Sequence, residues 1–229
     1  MLLDRLAVAA EVQALRPDFA VVALAVTGVA NGPGDATSEA WLRDAETFAH
    51  TATDLPGHIT AWQDAYRAFG AKPQRTASSV EALWKRARGS GLPRVNWLVD
   101  LYNAVSVRHA LPVGGEDLAT YAGPIRLIRA AGDEPFDTVA NGVAVVEHPA
   151  AGEVVWIDDL GVTCRRWNWR QCTRTRLTEA STDVLFLLER LAPMALDDLD
   201  RAADALTDAV VARFPAATVE RRRLGPEAP

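Results

Sequence analysis

The sequence predicts an α+β fold, a mostly antiparallel sheet with flanking helices in a single domain. Three observations carry this expectation. Helix-period segments dominate the chain up to residue 112, short β-rich runs separated by turn residues follow, and one amphipathic helix comes after them. With 229 residues, 49% hydrophobic and 24% charged, the chain has the composition of an ordinary globular protein with room for a large core.

The first strong signal is "DFAVVALAVTGV" (18–29), a β-branched apolar run halted by "NGPGD" and read as a buried strand and a turn. Residues 37–49 read as helix. In "HITAWQDAYRAFG" (58–70), Ile59, Trp62, Ala65, Tyr66 and Phe69 share one side and Gly70 stops the helix. Ser78 or Ser79 caps the next helix, which ends at Gly89, and Ser78 with Glu81 has capping-box spacing. A further helix lies within 92–112, between two prolines, starting near Pro93. The runs "PIRLIRA", "GVAVVEH", "GEVVWIDD", "VTCRRWNW", "RTRLT" and "DVLFLLE" read as strands. Residues 196–214 form an amphipathic helix with Leu199, Ala203, Leu206 and Val210 in line and Asp197, Asp198 and Asp200 at its positive end. The tail 215–229, with "ERRRLGPEAP", is expected to be loose.

Several function classes are disfavoured. No apolar run reaches the ~18–20 residues that span a bilayer. The start mixes acids and arginines and lacks a secretory layout, so the cytoplasm is the expected compartment. Cys164 and Cys172 match no zinc pattern and read as reduced, half-buried thiols. His50, His58, His109 and His148 are scattered, so no metal or other cofactor is expected. A net charge of −6 argues against tight nonspecific nucleic-acid binding but leaves room for a local basic patch.

Within 92–112, Asn96, Asp100 and Asn103 fall on one side of a helix and Leu98, Leu101, Tyr102 and Val105 on the other. Asn and Asp are poor helix formers because they compete for nearby backbone groups. Two readings stand: a solvated stripe, or a site or buried polar network.

The segment "LPRVNWLVDLYNAVSVRHALPVGGEDLATYAGPIRLIRAAGDEPF" resembles the core of the tRNA-editing domain in the phenylalanyl-tRNA synthetase β chain. Asn96, Val99, Asp100, Asn103, Pro112, Asp117, Gly123, Ile125, Arg126 or Arg129, and Glu134 carry the likeness in order. It extends more loosely through "GEVVWIDDLGV" to "TEASTDVLFLLE", so the family-like core is about 58–192. "YRAFGAKPQRTASSVEAL" and "GVTCRRWNWRQCTRT" resemble a stand-alone branch of the family. The resemblance implies hydrolysis of the ester of mischarged tRNA in trans, with the tRNA 3′ end as partner. It places Asn103 in the pocket as the catalytic residue with Tyr102 beside it, makes Glu189 the reader of the amino-acid side chain, and begins a pocket wall at Gly161. Where the synthetase has a pocket histidine, this chain has Gly114. Nothing matches the synthetase's activating domain, so charging of tRNA is not expected.

An aminoacyl ester is already activated, so an oriented water and fixed oxyanion donors suffice. The chain has no G-x-S-x-G elbow. Asn103 is expected to hold the water or the terminal ribose, backbone amides in a Gly114–Gly115 loop to face the oxyanion, and the adjacent ribose hydroxyl to assist proton transfer. Cys164 is a rival nucleophile if neighbouring arginines lower its pKa, although no histidine lies near it in sequence.

The stretch "GVTCRRWNWRQCTRTRLT" (161–178) gathers arginine and tryptophan in an acidic chain. As a strand it places Arg165, Trp167 and Trp169 on one face and Arg166, Asn168 and Arg170 on the other. An edge ribbon whose indoles stack on bases and whose guanidinium groups meet phosphates fits a tRNA 3′ end. Internal pairing with Glu153, Asp158, Asp159 or Glu179, with the tryptophans packed inside, fits equally. Two further classes stay open: a non-catalytic module that binds tRNA or an amino acid, and an unrelated small-molecule enzyme on the same fold.

Overall fold

The computed structural model describes residues 2–226. A 3-10 turn at Leu2–Arg5 leads to strand β1 (Leu6–Val8) and a short helix α1 (Ala10–Leu15), neither of which the sequence signalled. Strand β2 (Ala20–Thr27) follows, then helices α2 (Ala36–Thr51), α3 (Gly57–Ala68), α4 (Ser79–Ala87) and α5 (Trp97–His109). Strands β3 (Val113–Asp117), β4 (Ile125–Arg129), β5 (Phe136–Ala140), β6 (Val143–Glu147), β7 (Val154–Asp158), β8 (Gly161–Arg165), β9 (Arg170–Gln171) and β10 (Asp183–Arg190) come next. Helix α6 (Leu196–Arg213) and strand β11 (Thr218–Leu224) complete the order.

The strands form a four-stranded sheet ordered β11-β2-β10-β3, a five-stranded sheet ordered β1-β4-β7-β8-β9, and the pair β5-β6. Every pairing is antiparallel except β1 with β4. The fold is thus α+β and mostly antiparallel, as predicted.

Alternation along β2 and β10 divides the core. Val21, Ala23 and Ala25 with Leu185 and Leu187 join one cluster, which includes α3, α4 and the five-stranded sheet. Val22, Leu24 and Val26 with Val184, Phe186 and Leu188 join another, against α5 and α6. Helices cover both faces of this sheet, so β2 is one continuous apolar run rather than an alternating one. Each fully buried Leu or Phe contributes roughly 1.5–3 kcal/mol.

The helix starts follow local chemistry. Asp35 caps α2 by accepting from the amides of Thr37 and Ser38, and Ser38 returns the bond. Ser78 caps α4, but the reciprocal half of the predicted box is missing because Glu81 turns to Lys85 at 2.7 Å. Helix α5 begins four residues later than its predicted start near Pro93: Asn96 is its N-cap, extended and accepting from the amide of Val99 at 3.0 Å.

Two expectations are corrected. The tail is not loose over 218–224, where β11 pairs with β2. Its consecutive arginines alternate between the two faces and find partners: Arg221 and Arg223 reach Asp200 of α6, while Arg222 donates to the carbonyl of Leu3 at 2.6 Å. The pairing also covers an edge of β2 that would otherwise leave amides unpaired. Residues 227–229 lie outside the described ones. "RTRLT" forms no strand; a bridge from Arg176 to Glu116 and a bond from the amide of Asp117 to the carbonyl of Thr175 tie it to β3. Among the described residues no helix is long and apolar enough to cross a membrane.

Candidate functional site

A cavity of about 280 Å³ opens where the two larger sheets meet. Helix α5 contributes Tyr102 and Asn103, β3 contributes Gly114 and Glu116, and β10 contributes Leu187 and Glu189. The opposite wall is Trp156 of β7, Cys164 of β8 and the turn-and-strand segment Trp167–Gln171. Ser79, Ala82 and Leu83 of α4 line it as well. Leu187 and Glu189 are two apart on β10, so they share the sheet face that looks into the hollow.

Asn103 is buried, and its side chain makes no hydrogen bond among the described residues. Its stripe-mates are fully used. The Asn96 amide donates to the carbonyl of Leu177 at 3.3 Å, and Asp100 accepts from the amide of Val95 at 2.8 Å. The polar stripe therefore resolves into two structural residues that fasten the start of α5 and one that faces the cavity.

Glu189 is buried, accepting from Trp156 Nε1 and from Asn168 Nδ2, each at 2.8 Å. Asn168 Oδ1 accepts in turn from the Tyr66 hydroxyl at 2.9 Å. Burial pushes the Glu189 carboxyl up to about 8; its two donors pull it back, and the nearby Glu116 adds to the rise. It is thus mostly an uncharged acid at neutral pH. Burial also raises Glu116, whose carboxylate accepts from the Tyr121 hydroxyl at 2.5 Å. The cavity thus places the mostly neutral Glu189 acid and the Arg170 guanidinium on a largely apolar frame. Ser79 Oγ, Trp167 Nε1 and Arg170 Nε, all on lining residues, are buried without partners among the described residues.

A family model described as the B3/4 domain matches residues 61–215, more than half of the chain. The chain belongs to the B3/4-domain family. This is the domain type of the phenylalanyl-tRNA synthetase β-subunit editing domain. Among solved structures, an N-terminal fragment of the phenylalanyl-tRNA synthetase β-subunit from Pyrococcus horikoshii is similar, with a TM-score of 0.48 and 12% identity over 96% of this chain and 54% of that one. The chain thus spans about half the length of that structure. No curated protein matches it.

In this B3/4 domain, Asn103, Tyr102, Gly114 and Glu189 are brought to one cavity. Gly114 and Gly115 are not in a loop, as the sequence reading had them, but in β3 opposite Leu187 and Phe186. The amide of Glu189 bonds the carbonyl of Pro112, so by alternation Gly114 spends its backbone groups on β10. Its amide is therefore not available as an oxyanion donor. Gly115 does not line the cavity; a Cβ there would lie 2.8 Å from the Tyr102 ring, so the glycine seats that ring. Gly161 is also off the cavity, with Pro135 O 2.4 Å from where its Cβ would be.

The arginine-rich stretch corrects the strand expectation. β8 stops at Arg165, and residues 166–169 form a turn in which Arg166 and Trp167 have φ of 48° and 69°. Left-handed backbone at non-glycine residues costs of order 1–3 kcal/mol. Burial of Trp167 against Phe19 and Trp62, at 5.0 and 5.3 Å between centroids, offsets it. Arg165 is buried too, gripping Glu153 through two bonds of 2.9 Å and Glu147 through one of 3.0 Å. Arg165 and Trp167 are thus internal and not free to meet a nucleic acid. Trp169 remains half-exposed at the cavity, between Arg166 at 4.4 Å and Arg170 at 4.8 Å.

Cys164 lines the cavity, but burial and the acids Glu116 and Glu189 hold its thiol well above the usual value. The condition for Cys164 as a rival nucleophile, a thiol pKa lowered by arginines, is not met. Among the described residues no cluster of three or more His, Cys, Asp or Glu is arranged to hold a metal. The sequence reading missed Asn168, Gln171, Glu116, Trp156 and the α4 wall. Only Asn168, set among arginines and tryptophans, carried any local signal.

Proposed function

We propose that this B3/4 domain binds the 3′ end of aminoacyl-tRNA and hydrolyses the ester of a wrongly attached amino acid. One observation carries the reading: an unpartnered Asn103 amide and the buried Glu189 carboxyl share a single cavity. At about 280 Å³ the cavity sits near the lower limit of small-ligand sites, about 300 Å³. That volume suits an amino-acid moiety alone. The terminal adenosine then rests at the mouth, where Trp169 offers a ring to stack on.

The chemistry follows from the groups present. Asn103 orients a water or the ribose. Arg170 Nε, on a lining residue and without a partner among the described residues, supplies a donor for the oxyanion in place of the glycine amides. One such donor is worth roughly a hundred- to a thousandfold in rate. The neighbouring ribose hydroxyl relays the proton, and Glu189 in its neutral form donates to an acceptor on the amino-acid side chain. No covalent intermediate is involved, in keeping with the suppressed Cys164 thiol.

The test is single-turnover incubation with a panel of aminoacyl-tRNAs. Ester loss well above background for at least one, abolished by Asn103→Ala, supports the reading; equal loss with the variant removes Asn103 from it. A second reading, binding without cleavage, draws on Gly114 standing where the synthetase has histidine. Protection of one aminoacyl-tRNA from spontaneous hydrolysis would be its signature.

A further inference from the structure

The run of arginines at 165–174 is largely neutralised from within: Arg165 and Arg170 meet Glu147, Arg165 also meets Glu153, and Arg174 meets Asp158. A different basic segment is not. Residues 72–91 hold five basic side chains, Lys72, Arg75, Lys85, Arg86 and Arg88, against the single acid Glu81. All five are exposed, while Glu81 is buried beneath Lys85. Lys72, Arg75 and Arg88 have no ion pair among the described residues, in a chain whose net charge is −6.

This segment is fastened to the cavity mouth. Ser79, Ala82 and Leu83 line the cavity, and Arg86 lies seven residues after Ser79, two turns further along the same helix face. At the other end, Arg166 donates to Thr76 Oγ1 at 2.8 Å, and the amide of Ser79 donates to the carbonyl of Asn168 at 3.2 Å. The basic segment and the Arg166–Trp169–Arg170 stack therefore adjoin, beside the cavity that the proposed substrate end must enter.

We infer that the exposed basic segment 72–88 is the surface on which the phosphate backbone of the tRNA rests while its 3′ end enters the cavity. The inference rests on the proposed function for the identity of the polyanion. The balance of charge decides the location: a polyanion approaching an acidic protein is repelled by most of its surface and held where unpaired cations gather. Arginine forks onto phosphate oxygens and exposed side chains lose little solvation in doing so.

The experiment uses the full chain and uncharged tRNA, with affinity followed by fluorescence anisotropy from low to moderate salt. Lys72→Glu/Arg75→Glu and Arg86→Glu/Arg88→Glu are each expected to weaken binding tenfold or more and to make the salt dependence shallower by about one per lost contact. Arg43→Glu with Arg201→Glu, on helices α2 and α6, is the control and should change neither. Hydrolysis of an aminoacyl-adenosine ester, which has no phosphates, should be the same in all variants. Unchanged tRNA affinity on charge reversal overturns the docking surface while leaving the deacylase reading intact. Salt-sensitive binding through 72–88 with no ester loss supports the surface and overturns the deacylase instead.

Discussion

Asn168 donates its side-chain amide to Glu189 across 2.8 Å, so a left-handed turn after β8 fixes a carboxyl carried by β10. Asn168 favours the ionised form of Glu189, yet burial dominates and holds the group up at about 8. Asn168→Ala should therefore move the titration higher still, which carbon NMR of the Glu189 carboxyl would read. Binding of a ligand that accepts from the neutral acid should fall as pH passes about 8, and Glu189→Gln should flatten that profile. A profile identical in wild type and Glu189→Gln would remove Glu189 from ligand recognition.

Asn103→Ala separates function from folding. The side chain has no hydrogen bond among the described residues to lose, so thermal stability should change by less than about 1 kcal/mol. Ester hydrolysis should fall by roughly a hundredfold or more if the amide positions the reacting water. A large stability loss with unchanged turnover would assign the residue to the core.

Gly114→Ala tests the shape of the cavity. A Cβ there would meet only Gln171 Nε2, at 3.9 Å, and the residue has no left-handed φ. The variant should fold normally yet exclude the largest amino acids that the wild type accepts. Comparison of hydrolysis across a size series of aminoacyl-tRNAs measures this; an unshifted size limit would place Gly114 away from the bound side chain.

His58 gives the fold a pH dependence. Its Nδ1 donates to the carbonyl of Ala110 at 2.8 Å and its Nε2 accepts from the amide of Leu191 at 2.9 Å. The acceptor role requires the neutral ring, and burial lowers its pKa from 6.5 to about 4. The unfolded chain therefore binds the proton first. The stabilisation is complete above pH 6.5 and lost as pH falls toward about 4, with a magnitude of about 3 kcal/mol. Glu189 acts in the opposite sense above its unfolded value of 4.5, so the difference between wild type and His58→Gln is the informative quantity. Urea denaturation at pH 7 and pH 4.5 should show that difference shrinking at the lower pH.

Arg165→Ala should behave as a core mutation. It leaves the buried carboxylate of Glu153 without its two-pronged partner, at a cost of roughly 3–5 kcal/mol. Glu153→Ala should be comparably destabilising. Normal urea stability of Arg165→Ala, with weakened tRNA binding, would return this arginine to the surface.

Local pattern made much of the architecture legible. The continuous apolar run 18–29, the cap at Ser78 and the spacing in 58–70 are signals that neighbours in sequence create and that the fold respects. Asn103 stood out on the polar stripe, but Glu189, and its pairing with Asn103 in one site, were legible only through the resemblance, since 86 positions separate them and no periodicity links them. The tail was misread because a run of charges looks the same whether it faces water or a partner strand; the arginine-rich stretch left surface contact and internal pairing open, and only the structure chose pairing for Arg165, Arg170 and Arg174.

The sequence by itself determined the class of fold, the succession of most of its elements and the basic segment around α4, because periodicity, capping and composition act within a few residues. Tertiary structure alone decided which charges are paired, which polar groups face a cavity and which carboxyl stays neutral. Those properties depend on distance and on exclusion of water, and both are set by residues far apart in the chain: Arg165 by Glu153 and Glu147, Glu189 by Trp156 and Asn168.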